Sequence, residues 1–365
     1  MSEIERVAAA FEQKDYRTAS ELLKKLYKTS PQDPWVQLYI GRLQEVSGKV
    51  EASEKIYRQL LRGTTIPKVL AQARQGLQRL EEKEKQKRQQ ALALAKADPR
   101  NAEPGILVLE PVSAEAKPQA AKNLARIMNT DPYTARLLLP SQGWRAYRTG
   151  AIGELQVYSQ ELLKAGIPNF CASLAEVNKI NVFRVCYFQS VSPQATVICK
   201  NEAEQIGVLS FNWSEVSQRV EALLPVFEQI VEYNLSRNEV ERKESTQDYA
   251  HFCDLHLPNR NSILRLNSFT YEFQQGVELT AAAEKPTDHI TNRLYWNNLI
   301  DLLKQKLPNA TVWSNFFLFA ETVQDYPELL RRVKPHIDLF RREPTDWDPA
   351  FQLYSALVFV KNRRK

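Results

Sequence analysis

The sequence predicts a multidomain chain: all-α helical hairpins first, then α+β units, then a mainly helical C-terminal part. Three observations carry this. Residues 14–61 match themselves when shifted by 34 positions. Residues 105–280 alternate short β-branched and aromatic runs with amphipathic stretches, and after residue 288 the apolar residues return to helical spacing.

The 34-residue shift places Ala19 on Ser53, Leu23 on Tyr57 and Leu26 on Leu60, and the turn residues Lys14 and Tyr16 on Gly48 and Val50. The small residue of each pair lets two helices approach, and the larger one a turn later fills the remaining space. Pro31 closes the first copy, and Ile40-Gly41 sits inside the second. This pattern resembles the tetratricopeptide repeat, although Arg6-Val7, Gln37 and Thr65 depart from its signature. The resemblance implies a stack of helix pairs that binds a partner protein and has no chemistry of its own. It also implies a groove lined by Ile4, Ala8 and Phe11 from the first copy, and by Trp35, Leu38, Arg42 and Glu45 from the second. Trp35 and Arg42 are the expected anchors, because interface energy concentrates in aromatic and arginine side chains.

Composition suits this reading. The chain has 365 residues, 43% hydrophobic and 25% charged, which suits several folded domains. No run approaches eighteen apolar residues and the start lacks a signal peptide's pattern, so a cytoplasmic protein is expected. Four widely spaced cysteines (Cys171, Cys186, Cys199, Cys253) imply reduced thiols. The net charge of +6 is uneven: residues 1–100 hold 20 Lys/Arg against 13 Asp/Glu, and the remainder 29 against 30. A solvated basic helix face explains the surplus.

The expected order is repeats with a capping helix (1–80), a charged helix or linker (81–104), a small β-α-α-β-α-β unit (105–175), an antiparallel α+β unit (180–280) and a helical region (281–365). In the middle unit, small and aliphatic residues (Ala135, Leu137, Leu138), a basic strand and turn (Arg145, Arg148, Thr149, Gly150) and the Ala165-Gly166 turn follow in an order that resembles the C-terminal domain of the ribosomal stalk protein. That family uses the unit as a docking surface. The whole chain resembles in texture cyanobacterial repeat proteins that help assemble or regulate larger complexes. Beyond residue 181, strands at 182–188, 196–199 and 207–211 precede an expected helix from Trp213 to Val231. A charged link at 237–244 leads to a hairpin turning at Pro258-Asn259-Arg260-Asn261. The segment Phe351–Val360 reads equally as helix or strand.

The constellations with chemical potential are few. His251, Cys253 and His256 have a metal-ligand look, but strand alternation puts His251 and Cys253 on one face and Asp254 and His256 on the other. The expectation is therefore no metal and no cofactor. No glycine-rich phosphate cradle, zincin or nucleophile-elbow motif occurs. Trp144, Arg145, Tyr147 and Arg148 mix basic and aromatic residues as single-strand binders do, and support an alternative reading as a nucleotide- or nucleic-acid-binding regulator. The favoured expectation is a non-enzymatic adaptor whose partner is another protein, with self-association left open.

Overall fold

The computed structural model describes residues 2–234, 239–279, 292–339 and 345–364, and of 227–234 and 239–247 the backbone alone. Its internal contacts divide the chain into two compact units, Met1–Leu94 and Ala95–Lys365.

The first unit is all helix: α1 (Glu3–Glu12), α2 (Tyr16–Thr29), α3 (Pro34–Val46), α4 (Val50–Gly63) and α5 (Pro67–Ala97). Local chemistry sets the starts. A Ser2/Glu5 capping box opens α1, Asp15 caps α2, and Asp33 caps α3 with Pro34 in its first turn. The turns between paired helices repeat as well: Lys14 and Gly48, 34 residues apart, both adopt left-handed backbone. One apolar cluster joins Val7, Phe11, Leu23, Val36 and Tyr39, and a second joins Leu38, Tyr57, Val69, Ala73 and Leu80. The charged stretch after Leu80 continues as helix to Ala97.

The second unit is layered. It begins with β1 (Pro104–Leu109), α6 (Lys117–Met128), α7 (Pro132–Leu138), β2 (Arg145–Ala151), α8 (Ile152–Lys164), β3 (Asn169–Ser173) and α9 (Leu174–Asn178). Their three strands form an antiparallel sheet in the order β2-β1-β3. Then come β4 (Asn181–Ser190), β5 (Ala195–Lys200), β6 (Ile206–Phe211), β7 (Gln218–Asn234), β8 (Glu239–Leu257), β9 (Ser262–Asn267), α10 (Asn292–Lys306), β10 (Thr311–Trp313), α11 (Phe316–Val323), α12 (Pro327–Leu330) and α13 (Trp347–Arg363). Here the sheet order is β10-β7-β8-β9-β4-β5-β6.

Side-chain alternation sorts the layers. Leu107 and Leu109 meet α6 and α8, while Ile106 and Val108 on the same strand meet α11 and α13. From the other side Val220, Leu224, Phe252 and Ile263 of the large sheet join that same core. The opposite face of the large sheet (Cys253, Leu255, Leu264, Leu266) is covered by Trp296, Leu299 and Leu303 of α10. The stretches 105–175, 180–280 and 281–365 therefore share cores and do not separate.

Three expectations give way, and one open alternative is decided. The helix expected from Trp213 is a short 3-10 turn and then β7, whose Val220 and Leu224 face one side while Arg219 and Glu221 face the other. Pro225 explains this: inside a helix it costs about 3 kcal/mol, whereas β10 pairs with β7 only at Gln218–Val220, so Pro225 has no ladder bond to lose on that side. The charged link at 237–244 overlaps β8, which starts at Glu239 (235–238 lie outside the described residues). The large sheet is mixed rather than antiparallel, because β4 runs parallel to β9 and β10 parallel to β7. The ambiguous C-terminal segment is helix, buried without interruption from Ala350 to Val360.

Burial depresses the His256 pKa to about 4, against 6.5 for the free side chain, and burial likewise takes His336 to about 4. The folded value lies below the unfolded one, so the unfolded chain binds the extra protons between those two pH values. Stability is complete above pH 6.5 and falls as pH drops toward 4, by about 1.4 kcal/mol per pH unit for His256 alone. Denaturant titrations at pH 7.5, 6 and 5 check this, with His256→Gln expected to flatten the profile.

Candidate partner-binding wall

The first helix of each pair carries the candidate wall. Applying the 34-residue shift once more extends it: Trp35 maps to Val69, Leu38 to Gln72 and Glu45 to Arg79, so the start of α5 continues the series. Only the capping role of α5 is evident in the sequence; its contribution to the wall appears when the period is carried a third time.

Tyr57, fully buried, sits between two glycines. A Cβ at Gly41 would lie 2.8 Å from its ring, and one at Gly76 would lie 2.4 Å away. Ser53 Oγ donates to Gly41 O at 2.8 Å, and Tyr57 Oη donates to Glu45 Oε2 at 2.7 Å. Arg79 completes the arrangement, donating from Nε and Nη2 to the two Glu45 oxygens at 2.8 and 2.9 Å. Burial pushes the Glu45 pKa up, but the Arg79 fork and the Tyr57 hydroxyl outweigh it and hold the carboxyl below its usual value.

Nearer the N-terminus the wall is aromatic. Phe11 and Tyr39 have centroids 5.4 Å apart, Trp35 stacks on Tyr39 at 6.5 Å, and the Arg42 guanidinium lies over Phe11 at 5.0 Å and Tyr39 at 5.7 Å. Of the seven expected groove residues, Phe11 and Leu38 are core, at 6% and 0% exposure. Glu45 is satisfied from within. Ile4, Ala8, Trp35 and Arg42 are half-buried and keep surface for a partner.

The other candidates resolve differently. Trp144 is buried against Phe170, Trp313 and Tyr354, and so offers no stacking face. Arg148 lies 4.7 Å over Tyr158, and Tyr147 O accepts from Tyr326 Oη; Arg145 is partly buried at the start of β2. His251 and Cys253 sit on the α10 side of β8 and His256 on the α13 side. Among the described residues no three metal-ligating side chains converge.

His256 instead belongs to a buried chain of hydrogen bonds that sequence reasoning missed. Gln218 Nε2 donates to His256 Nδ1 at 2.9 Å and His256 Nε2 to Ser355 Oγ at 3.0 Å. Ser355 Oγ in turn donates to Asp254 Oδ2 at 2.6 Å. That assignment of protons satisfies every member with a neutral imidazole, consistent with its depressed pKa. A nucleophilic serine donates to its histidine. Here the hydroxyl proton points the other way, to a carboxylate, and all three groups have 0% exposure. The constellation ties α13 to the sheet.

A tetratricopeptide-repeat family model matches residues 10–64, and this stretch is a protein–protein interaction module of that type. No curated protein and no solved structure matches the chain. The element order of residues 105–175 is as expected, but its resemblance to the ribosomal stalk domain gains no support, nor does the cyanobacterial texture. Among the described residues no helix is long and apolar enough to cross a membrane.

Gly76→Ala tests the wedge. At an open helix position it would gain about 1 kcal/mol of helix propensity; against Tyr57 it is expected to lose about 1–3 kcal/mol by overpacking. Pairing it with Tyr57→Leu should remove most of the loss in a denaturation cycle.

Proposed function

We propose that this protein is a non-enzymatic adaptor or scaffold that docks another polypeptide on the wall formed by α1, α3 and the start of α5, in the service of assembling or regulating a larger complex. The observation that supports it best is the match of residues 10–64 to the repeat family, with the same left-handed turn at Lys14 and Gly48. Helix pairs of this kind bury their stripes only by stacking, and the stack presents its first helices as one surface. On that surface Trp35 and Arg42 are both half-buried, the position from which anchors act.

The reading is tested with the full chain and a partner recovered by affinity purification. Arg42→Glu is expected to weaken partner binding at least tenfold, about 1.4 kcal/mol, and Ala8→Arg to block the wall sterically. Thermal unfolding of both variants should stay close to the parent. Undiminished partner binding in both variants would place docking elsewhere.

A further inference from the structure

A cavity of about 350 Å³ is lined by the turn between β8 and β9, the end of α9 and the last turns of α13. Its size lies at the lower end of the roughly 300–1,000 Å³ typical of small-molecule sites. Three cations, Lys179, Arg363 and Arg364, face it against one carboxylate, Glu176. The apolar lining residues Ile180, Phe359 and Val360 are buried, at 5%, 2% and 7% exposure, so the surface open to a ligand is chiefly polar.

We propose that this cavity binds a phosphate-type dianion, either inorganic phosphate or the head of a small phosphate monoester. What favours an anion is which charges are already met. Glu176 is satisfied from within: Oε1 accepts from Arg364 Nη2, and Oε2 accepts from Ser173 N at 3.0 Å and Ser173 Oγ at 3.2 Å. Burial pushes its pKa up, but Arg364 and Ser173 outweigh burial and hold the carboxyl below its usual value. Arg364 also donates from Nη1 to Cys171 O at 2.8 Å. Arg363 and Lys179 are different. Arg363 Nη1 donates at 2.9 Å to Asn261 Oδ1, a neutral acceptor. Among the described residues no carboxylate pairs with Arg363 or Lys179.

Asn261 holds the two unmatched charges to one cavity. Its backbone is left-handed, with φ 48°, a conformation asparagine adopts more readily than most residues. From there its Nδ2 donates to Lys179 O at 2.7 Å while its Oδ1 accepts from Arg363. One carboxamide thus links the chain at Lys179 to the guanidinium of Arg363. Both cations are exposed, so water weakens their mutual repulsion, and a bound dianion meets both at once. A guanidinium fork and an ammonium are the donors that phosphate oxygens take. The side-chain acceptors of the lining, Glu176 and Asn261 Oδ1, are already engaged, which disfavours a cation.

Inorganic phosphate and phenyl phosphate are the probes, with acetate as the singly charged control. Each is titrated into the full chain at constant ionic strength, followed by calorimetry and, for the phosphates, phosphorus NMR. Both phosphates are expected to bind saturably, and acetate about tenfold more weakly or worse. Tighter binding of phenyl phosphate than of phosphate assigns a monoester, and the reverse assigns the free ion. Arg363→Gln and Lys179→Gln should each weaken phosphate by about tenfold or more. Asn261→Asp keeps every cation but gives Arg363 a carboxylate partner, and should weaken phosphate as much. Lys304→Gln, which removes an equal charge held by Asp301 on α10, should leave binding unchanged. Thermal unfolding checks that the variants remain folded. No saturable binding of either phosphate, acetate binding as tight as phosphate, undiminished binding in Arg363→Gln and Asn261→Asp, or an equal loss in Lys304→Gln overturns the proposal.

Discussion

A guanidinium removed from water must have its charge and its N–H groups met, and in residues 95–365 that requirement decides where the last helix lies. Arg265 is 1% exposed and forms a two-pronged pair with Asp254, Nε to Oδ1 at 2.9 Å and Nη2 to Oδ2 at 2.7 Å. Its third nitrogen, Nη1, donates to Pro335 O at 2.7 Å, and Phe351 of α13 covers the guanidinium at 4.8 Å. Asp254 has spare acceptor capacity, which Ser355 of α13 uses. Desolvating such a pair is expensive, and apolar packing of equal volume would often be more stable. What the polar network adds is register: α13 is apolar on every side and could slide or rotate, whereas Ser355, Val358 O and Asn362 each meet a fixed partner on the sheet.

The repeat unit solves the same problem by shape. Tyr57 is lodged where Gly41 and Gly76 lack side chains. One ion pair, Glu45 with Arg79, spans the 34-residue period itself and ties the second copy to the start of α5. Small residues set the distance between helices, and the polar contacts of Ser53, Tyr57, Glu45 and Arg79 set their register. Both units thus use apolar burial for stability and a few satisfied polar groups for placement.

Which parts were legible in the sequence follows from the range of the signal. The repeat period, the β-α-α-β-α-β order of residues 105–175 and the turn at Pro258–Asn261 are local patterns, and the structure contains all three. The segment after Trp213 misled because its apolar residues satisfy a helical period as well as a strand's; Pro225 was the arbiter and was available. α13 gave no period because it is enclosed on all sides, so no polar face marks its turn. The sharing of cores across 105–365 was not legible, since a strand buried on both faces does not announce what covers each one. For the wall, the helix positions could be read, but their degree of burial could not: Leu38 and Trp35 occupy the same face, yet only Leu38 is sealed by its neighbours in the second cluster.

That difference in burial constrains what the proposed docking can recognise. Glu45 is saturated by Arg79 and Tyr57, and so cannot select a basic partner without breaking the contacts that register α5. Arg42 is different. Its guanidinium lies over Phe11 and Tyr39, and its N–H groups suit carboxylate or carbonyl oxygens. Trp35 beside it supplies apolar area at little cost in lost rotamer freedom. An extended segment bearing an acceptor next to an apolar side chain fits that pair.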